Sequence, residues 1–244
     1  MACHRRCGEA VYAGRVPGPL VLYSAIACNY CHRVRAVLAV KGVAAEVVEI
    51  DLVRRPEAFR KKSSHGAVPL LEAEGRELHG SAVINEYLDD RFPNPPLLPK
   101  DAGERAAARM WIAWADVAPA PHYEELLMNV RPERKAELAH RMEATLRELE
   151  ERLVTSGYRG RYWAGASFGL VDATYAAIFE RFPLMRDFQG FEVPRTLGRV
   201  HEWAEALRET PAVRASAPEA DSLHAVVSDY HTVLARVAAT GARG

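Results

Sequence analysis

The segment from Leu20 to Asp51 restricts the fold more than any other part of the chain. Leu20–Ser24 is a short apolar run with strand character. Tyr30–Lys41 repeats Val34, Val37 and Leu38 at helical spacing and stops at Gly42, and Ala45–Asp51 carries Val47, Val48 and Ile50. A strand–helix–strand unit this short predicts parallel strands joined by a right-handed crossover. Cys28 and Cys31 stand at the mouth of its helix, spaced Cys-x-x-Cys. Amides at a helix start have no intrahelical partner and carry the positive end of the dipole, so they favour a thiolate at Cys28 and make it the candidate nucleophile. Cys31 lies one turn further in, within disulfide reach and better shielded. Two readings of it stay open: a resolving thiol, or a small residue in the first helical turn.

Beyond this unit, Arg54–Lys62 is a basic segment of short helix or turn. Pro69 leads the apolar run Leu70–Glu72; because proline cannot donate to a ladder, it belongs at that strand's start or edge. Arg76–His79 can return as a hairpin across Glu74-Gly75, and Gly80-Ser81 open a helix over Ala82–Phe92 with Val83, Ile84, Tyr87 and Leu88 inward. The order predicts a flexible leader over 1–18, an α/β domain over 19–92, a proline-rich linker over 93–100 and an all-helical domain over 101–244. Within the last, helices are expected over Ala102–Val130, with Met110, Trp111, Trp114 and Val117 on one face and a kink at Pro119/Pro121, and from Pro132 to Val154. The second has a core stripe of Leu138, Met142, Leu146, Leu149 and Leu153. Three more span Gly169–Arg181, Pro194–Glu209 and Glu219–Ala238.

Charge excludes some partners: 32 basic residues balance 32 acidic ones, so nothing marks the chain for nucleic acid or an anionic membrane. No apolar run approaches the roughly 18 residues that span a bilayer, and Met1–Leu20 lacks the apolar core of a secretory signal. Four cysteines in a chain this long point to a reducing cytoplasm rather than a disulfide scaffold. Cys3, Cys7, Cys28 and Cys31 form two close pairs with zinc-like spacing, but a closed zinc would remove the nucleophile, and no metal is expected.

Taken together, several segments resemble the glutathione transferase superfamily, and within it the cysteine-type omega class: Cys28–Arg35, Arg55–Lys62, Gly66–Glu72, Ser81–Asp89, Leu97-Leu98-Pro99 and Phe179-Glu180-Arg181-Phe182. The resemblance implies a thioredoxin-like N-terminal domain and an all-helical C-terminal one. It implies glutathione, or another low-molecular-weight thiol, as cosubstrate, a disulfide or electrophile as acceptor, thioltransferase or dehydroascorbate reductase chemistry, and a homodimer. Cys28 would be the nucleophile. Val68, ahead of a cis Pro69, would offer its backbone to the cysteinyl unit, and Arg55 would take the glycine carboxylate. Ser81, at a helix start, would hold the γ-glutamyl carboxylate.

Three positions depart from that pattern. Gly80 replaces the usual acidic residue before the serine, removing one partner for the γ-glutamyl amine and leaving room for a different small thiol. Asn29 replaces proline after the nucleophile, and Gly169 replaces a Ser/Thr helix cap, with Asp172 still in place. In the acceptor cleft the resemblance points to Tyr123 and His122, with Trp111 and Trp114 read as core. His32 reads as a solvated helix-exterior residue, with tuning of the thiolate as the alternative. Two rival roles remain. Glu86–Leu97 is also similar to the stringent starvation protein A family, non-enzymatic binders of RNA polymerase without the reactive cysteine. A pathway-specific thiol-dependent isomerase or lyase is the other.

Overall fold

The computed structural model describes residues 18–63, 66–157 and 160–241. The expected leader, with Cys3 and Cys7, lies outside these residues apart from Gly18. The first half of the chain runs β1 (Val21–Ser24), α1 (Asn29–Lys41), β2 (Glu46–Glu49), α2 (Glu57–Lys62), β3 (Leu70–Ala73), β4 (Arg76–His79) and α3 (Ser81–Arg91). The strands form one mixed sheet in the order β2-β1-β3-β4, with β1 parallel to β2 and antiparallel to β3, and β3 antiparallel to β4. This is the thioredoxin-like arrangement. Side chains alternate across β1: Leu22 enters the core, while Tyr23 faces α2 and meets Phe59 at 5.7 Å between ring centroids. β2 is an edge strand, so Val47 of its apolar run is exposed, while Ile50 just beyond it is buried.

The second half is all helical: α4 (Ala102–Val117), α5 (Pro119–Leu127), α6 (Pro132–Thr155), α7 (Leu170–Phe179), α8 (Phe182–Gln189), α9 (Gly198–Glu209), α10 (Pro211–Ser216) and α11 (Ala220–Gly241). The single kinked helix expected over Ala102–Val130 is two helices. The chain breaks at Ala118 (φ −131°, ψ −71°), and Pro119 starts α5 at a position that needs no intrahelical donor. The α6 stripe from Leu138 to Leu153 is buried as its spacing predicts. Trp111 sits among Trp114, Trp163, Tyr175 and Trp203, a core aromatic cluster with centroids 5.9–6.5 Å from its own. Met110 and Val117 do not share that environment, because they point to solvent.

The two halves meet along α1. This helix packs against α3 within its own domain and against α7 and α10 of the helical domain. Both of its faces are therefore covered, and Asn29, His32, Arg33 and Lys41 are buried with Val34, Val37 and Leu38. The proline-rich linker is tied to the first domain. Lys41 Nζ donates to Asp89 Oδ1 and to the Pro95 carbonyl, both at 2.5 Å, and Asp89 accepts the Leu97 and Leu98 amides at 2.9 and 3.2 Å. Among the described residues no helix is long and apolar enough to cross a membrane.

Candidate active site

Strand register brings the expected thiol-site residues to one end of the sheet. Tyr23 pairs with Leu70 in antiparallel sense, so Pro69 lies across from Ser24, at the end where β1 runs into Cys28. Leu70 pairs with His79, which sends Gly80 and Ser81 past that same end. Ser24 pairs in parallel with Glu49, so the chain after β2 also emerges there and leads to Arg55. The Val68–Pro69 peptide is cis, and the ladder contacts of β3 begin at Leu70, which leaves the Val68 backbone outside the sheet. Arg55 Nη1 donates to the Gly66 carbonyl at 2.8 Å, which holds the guanidinium beside the loop that leads to Val68. Ser81 is the first residue of α3, where backbone N–H groups lack intrahelical partners. Gly80 before it has φ +81°, a conformation that favours glycine over any residue with a Cβ.

Cys28 is the N-cap of α1, in extended conformation, and its carbonyl accepts the His32 amide at 3.2 Å. Its thiol is drawn from 9.0 down to about 7. A hydrogen bond from the Cys31 side chain contributes most to this shift; burial and the Glu124 charge oppose it, and the Arg181 charge assists. Cys31 is buried, accepts the Ala25 amide on Sγ at 3.3 Å, and has its own pKa pushed well up by burial. The leading cause of the lowered pKa is thus a neighbouring thiol, and the Cys31 amide at the helix mouth adds to it.

Behind Cys28 lies Arg181, fully buried. Nη1 donates to the Ala177 carbonyl at 2.8 Å and to His32 Nδ1 at 2.9 Å, and Nη2 donates to the carbonyls of Ile26 at 3.2 Å and Cys28 at 3.5 Å. None of these partners is a carboxylate, so the guanidinium faces the Cys28 loop with its charge unpaired by an acid. Because the guanidinium can only donate, His32 Nδ1 accepts, and its proton belongs on Nε2, which lies 3.4 Å from Ser216 Oγ. Burial lowers the His32 pKa well below its usual value and keeps the ring neutral. His32 is therefore no solvated exterior residue: the helical domain covers the face that helix periodicity alone leaves to water.

Cys28 opens onto a cleft of about 380 Å³ shared by Ala27, Leu52, Tyr123, Glu124 and Tyr230. Tyr123 lines it as expected. His122 does not: its Nδ1 bonds Thr145 Oγ1 at 2.6 Å on the α6 side of α5. Glu124, Tyr230 and Arg181 were missed as site residues in the sequence. Glu124 had a signal, since it follows Tyr123 and lies one turn from Ala120 on the same helix. Among the described residues no cluster of three His, Cys, Asp or Glu side chains is placed to hold a metal.

Comparison with known proteins matches residues 22–96 to the family model for the glutathione S-transferase N-terminal domain and residues 132–206 to that for its C-terminal domain. The chain is 30% identical over 210 residues to glutathione S-transferase omega-1 of Sus scrofa, covering 83% of this chain and 82% of that protein. It is 34% identical over 161 residues to a stringent starvation protein A homolog of Haemophilus influenzae, covering 61% and 68%. Among solved structures it is similar to rice GST1 in complex with glutathione, with a TM-score of 0.76, 28% identity and coverage of 88% and 96%.

Proposed function

Starting from the glutathione S-transferase family, to which this chain belongs, we propose an omega-like thiol transferase with Cys28 as nucleophile and glutathione, or a related low-molecular-weight thiol, as cosubstrate. One observation carries this reading: a thiol at a helix N-cap, with its pKa drawn to about 7, opens onto an apolar cleft. The rival hydroxyls of such enzymes do not face the cleft. Tyr23 donates its hydroxyl to Glu72 at 3.2 Å, and Ser24 is fully buried.

The Cys28 thiolate attacks one sulfur of a disulfide. The new S–S bond to Cys28 forms as the old one breaks, and the departing sulfur leaves with the electron pair and takes a proton. A second thiol then attacks the mixed disulfide and restores Cys28. Full burial and a raised pKa make Cys31 a poor attacker, which favours an external thiol such as a reducing cytoplasm supplies. The Val68 backbone would align the cysteinyl unit of the cosubstrate. Arg55 would meet its glycine carboxylate, and Ser81 with the free amides of α3 its γ-glutamyl carboxylate. Gly80 offers no acid to the amine, which leaves room for a thiol other than glutathione.

Reduction of hydroxyethyl disulfide with glutathione tests the assignment. Cys28→Ser should lose at least about 100-fold in kcat/KM, and undiminished turnover would refute it. Absent turnover together with co-purification of RNA polymerase would favour the non-enzymatic reading that the stringent starvation protein A match supports. A homodimer completes the proposal. Val83 on α3 and Met110 and Val117 on α4 are 59%, 72% and 72% exposed. Arg109 binds Glu86 through two hydrogen bonds of 2.9 and 2.7 Å, so these two helix faces adjoin.

A further inference from the structure

We propose that Glu124 makes the cleft beside Cys28 selective for acceptors that carry a cation on a small apolar body. The proposal deepens the function above and rests on Cys28 as its nucleophile. Glu124 is the one charged side chain among the described residues that line the cleft; Leu52, Val53, Met128 and Val233 around it are apolar. Its position is fixed from the nucleophile's own helix. Asn29, fully buried and next to Cys28 in sequence, donates Nδ2 to Glu124 Oε1 at 2.5 Å. A proline at that position, as the family resemblance would have it, has no side-chain donor. Asn29 thus ties a carboxylate to the residue that follows the reactive sulfur.

Among the described residues no cation forms an ion pair with this carboxylate. Arg33 pairs with Asp116 through Nη1 alone and stacks on the Tyr30 ring, 4.6 Å from its centroid. Arg181 is committed to His32 and to three backbone carbonyls. Both act on Glu124 only through space, and burial still pushes its pKa up. In the free protein the arrangement is unfavourable twice over, because a partly buried carboxylate has no ion-pair partner among the described residues and its charge opposes ionisation of Cys28. An ammonium or guanidinium group on the acceptor removes both penalties on binding. An anionic acceptor adds to them. In the reaction, the Cys28 thiolate bonds to the near sulfur of such a disulfide, whose own S–S bond breaks, and the other half leaves as a thiolate.

Two readouts separate this proposal from the function on which it rests. The first is modification of Cys28 by methanethiosulfonate reagents of matched size bearing an ethylammonium or an ethylsulfonate, followed by mass spectrometry; it needs no turnover. The ammonium-to-sulfonate rate ratio should fall about tenfold or more from wild type to Glu124→Gln, which keeps an oxygen for Asn29. It should hold in Glu125→Gln, whose neighbouring carboxylate pairs with Arg141 outside the cleft. The second is glutathione-dependent reduction of the aminoethyl, hydroxyethyl and carboxyethyl disulfides by wild type. A modification ratio unchanged by Glu124→Gln, or lowered equally by Glu125→Gln, overturns the charge-selective cleft. A lowered ratio with no reduction of any disulfide keeps the cleft and overturns the thiol transferase reading.

Discussion

Replacing Cys31 with alanine removes the side-chain hydrogen bond that does most to lower the Cys28 pKa. The rate of iodoacetamide alkylation at Cys28 follows its thiolate fraction, so its midpoint should move up from about 7 toward 9.0, and the rate at pH 6.5 should fall. Cys31→Ser keeps an O–H donor and should hold the midpoint within about one unit of wild type. Equal midpoints in all three proteins would mean that the neighbouring thiol has no part in activating Cys28. At this scale the sequence revealed what local chemistry determines. A cysteine at a helix start, a proline before a strand and a serine opening a helix each carry their reason within a few residues. His32, Arg33 and Arg181 were not legible in that way. Polar residues on a helix read as its wet face, and the partner that buries His32 stands 149 residues away in sequence.

Element boundaries followed the same logic. The Cys28 helix, the hairpin and α6 matched their periodicity, whereas α8 and α10, at 8 and 6 residues, are shorter than the windows in which helical spacing can be read. Val83, expected inward, points out because it precedes the buried Ile84 by one position on α3, about 100° around the helix. Gly169 at the start of α7 has a physical reason that the sequence alone concealed. A Cβ there would lie 2.8 Å from the Leu97 carbonyl oxygen, which accepts the Leu170 amide at 2.9 Å. Gly169→Ser should therefore lower Tm, with crowding of about 1–3 kcal/mol outweighing a few tenths gained from the hydroxyl cap. A raised Tm would show that the linker yields. Asp172 in the same turn accepts the Trp163 and Gly169 amides at 2.9 Å and Trp203 Nε1 at 2.8 Å. Burial raises its pKa from 3.8 to about 6. Between those values the folded protein holds the proton more tightly than the unfolded chain, so this residue should make stability fall as pH rises from about 4 to about 6 and leave it level above. Asp172→Asn should abolish that slope and, by turning its amide N–H toward the Gly169 N–H even when its oxygen keeps the Trp163 and Trp203 donors, lower stability at pH 7 by about 1–3 kcal/mol, as denaturant titration can measure.

For the whole molecule, the division into an α/β part, a proline-rich connector and a helical part was readable from composition shifts. The way the parts are fastened was not, because Lys41, Asp89 and the Pro95 carbonyl meet only after folding. The apolar face across α3 and α4 belongs to this scale too, since no single helix pattern contains it. Val83, Met110 and Val117 are so exposed in one chain that exchanging them costs the fold little, within about 0.5 kcal/mol each. If the same side chains lie at the centre of a two-fold interface, a charge placed there must be desolvated against its own copy, at a cost of several kcal/mol to association. Val83→Glu with Met110→Glu should then halve the mass found by sedimentation equilibrium and leave the circular dichroism spectrum and the Cys28 alkylation midpoint where they were. The cleft beside Cys28 is lined by the β1–α1 loop, the segment after β2, α5 and α11 of one chain, so turnover of hydroxyethyl disulfide should survive dissociation unless the partner completes the thiol-binding edge near Ser81. Wild-type protein that sediments at the mass of one chain would remove this face as a dimer contact.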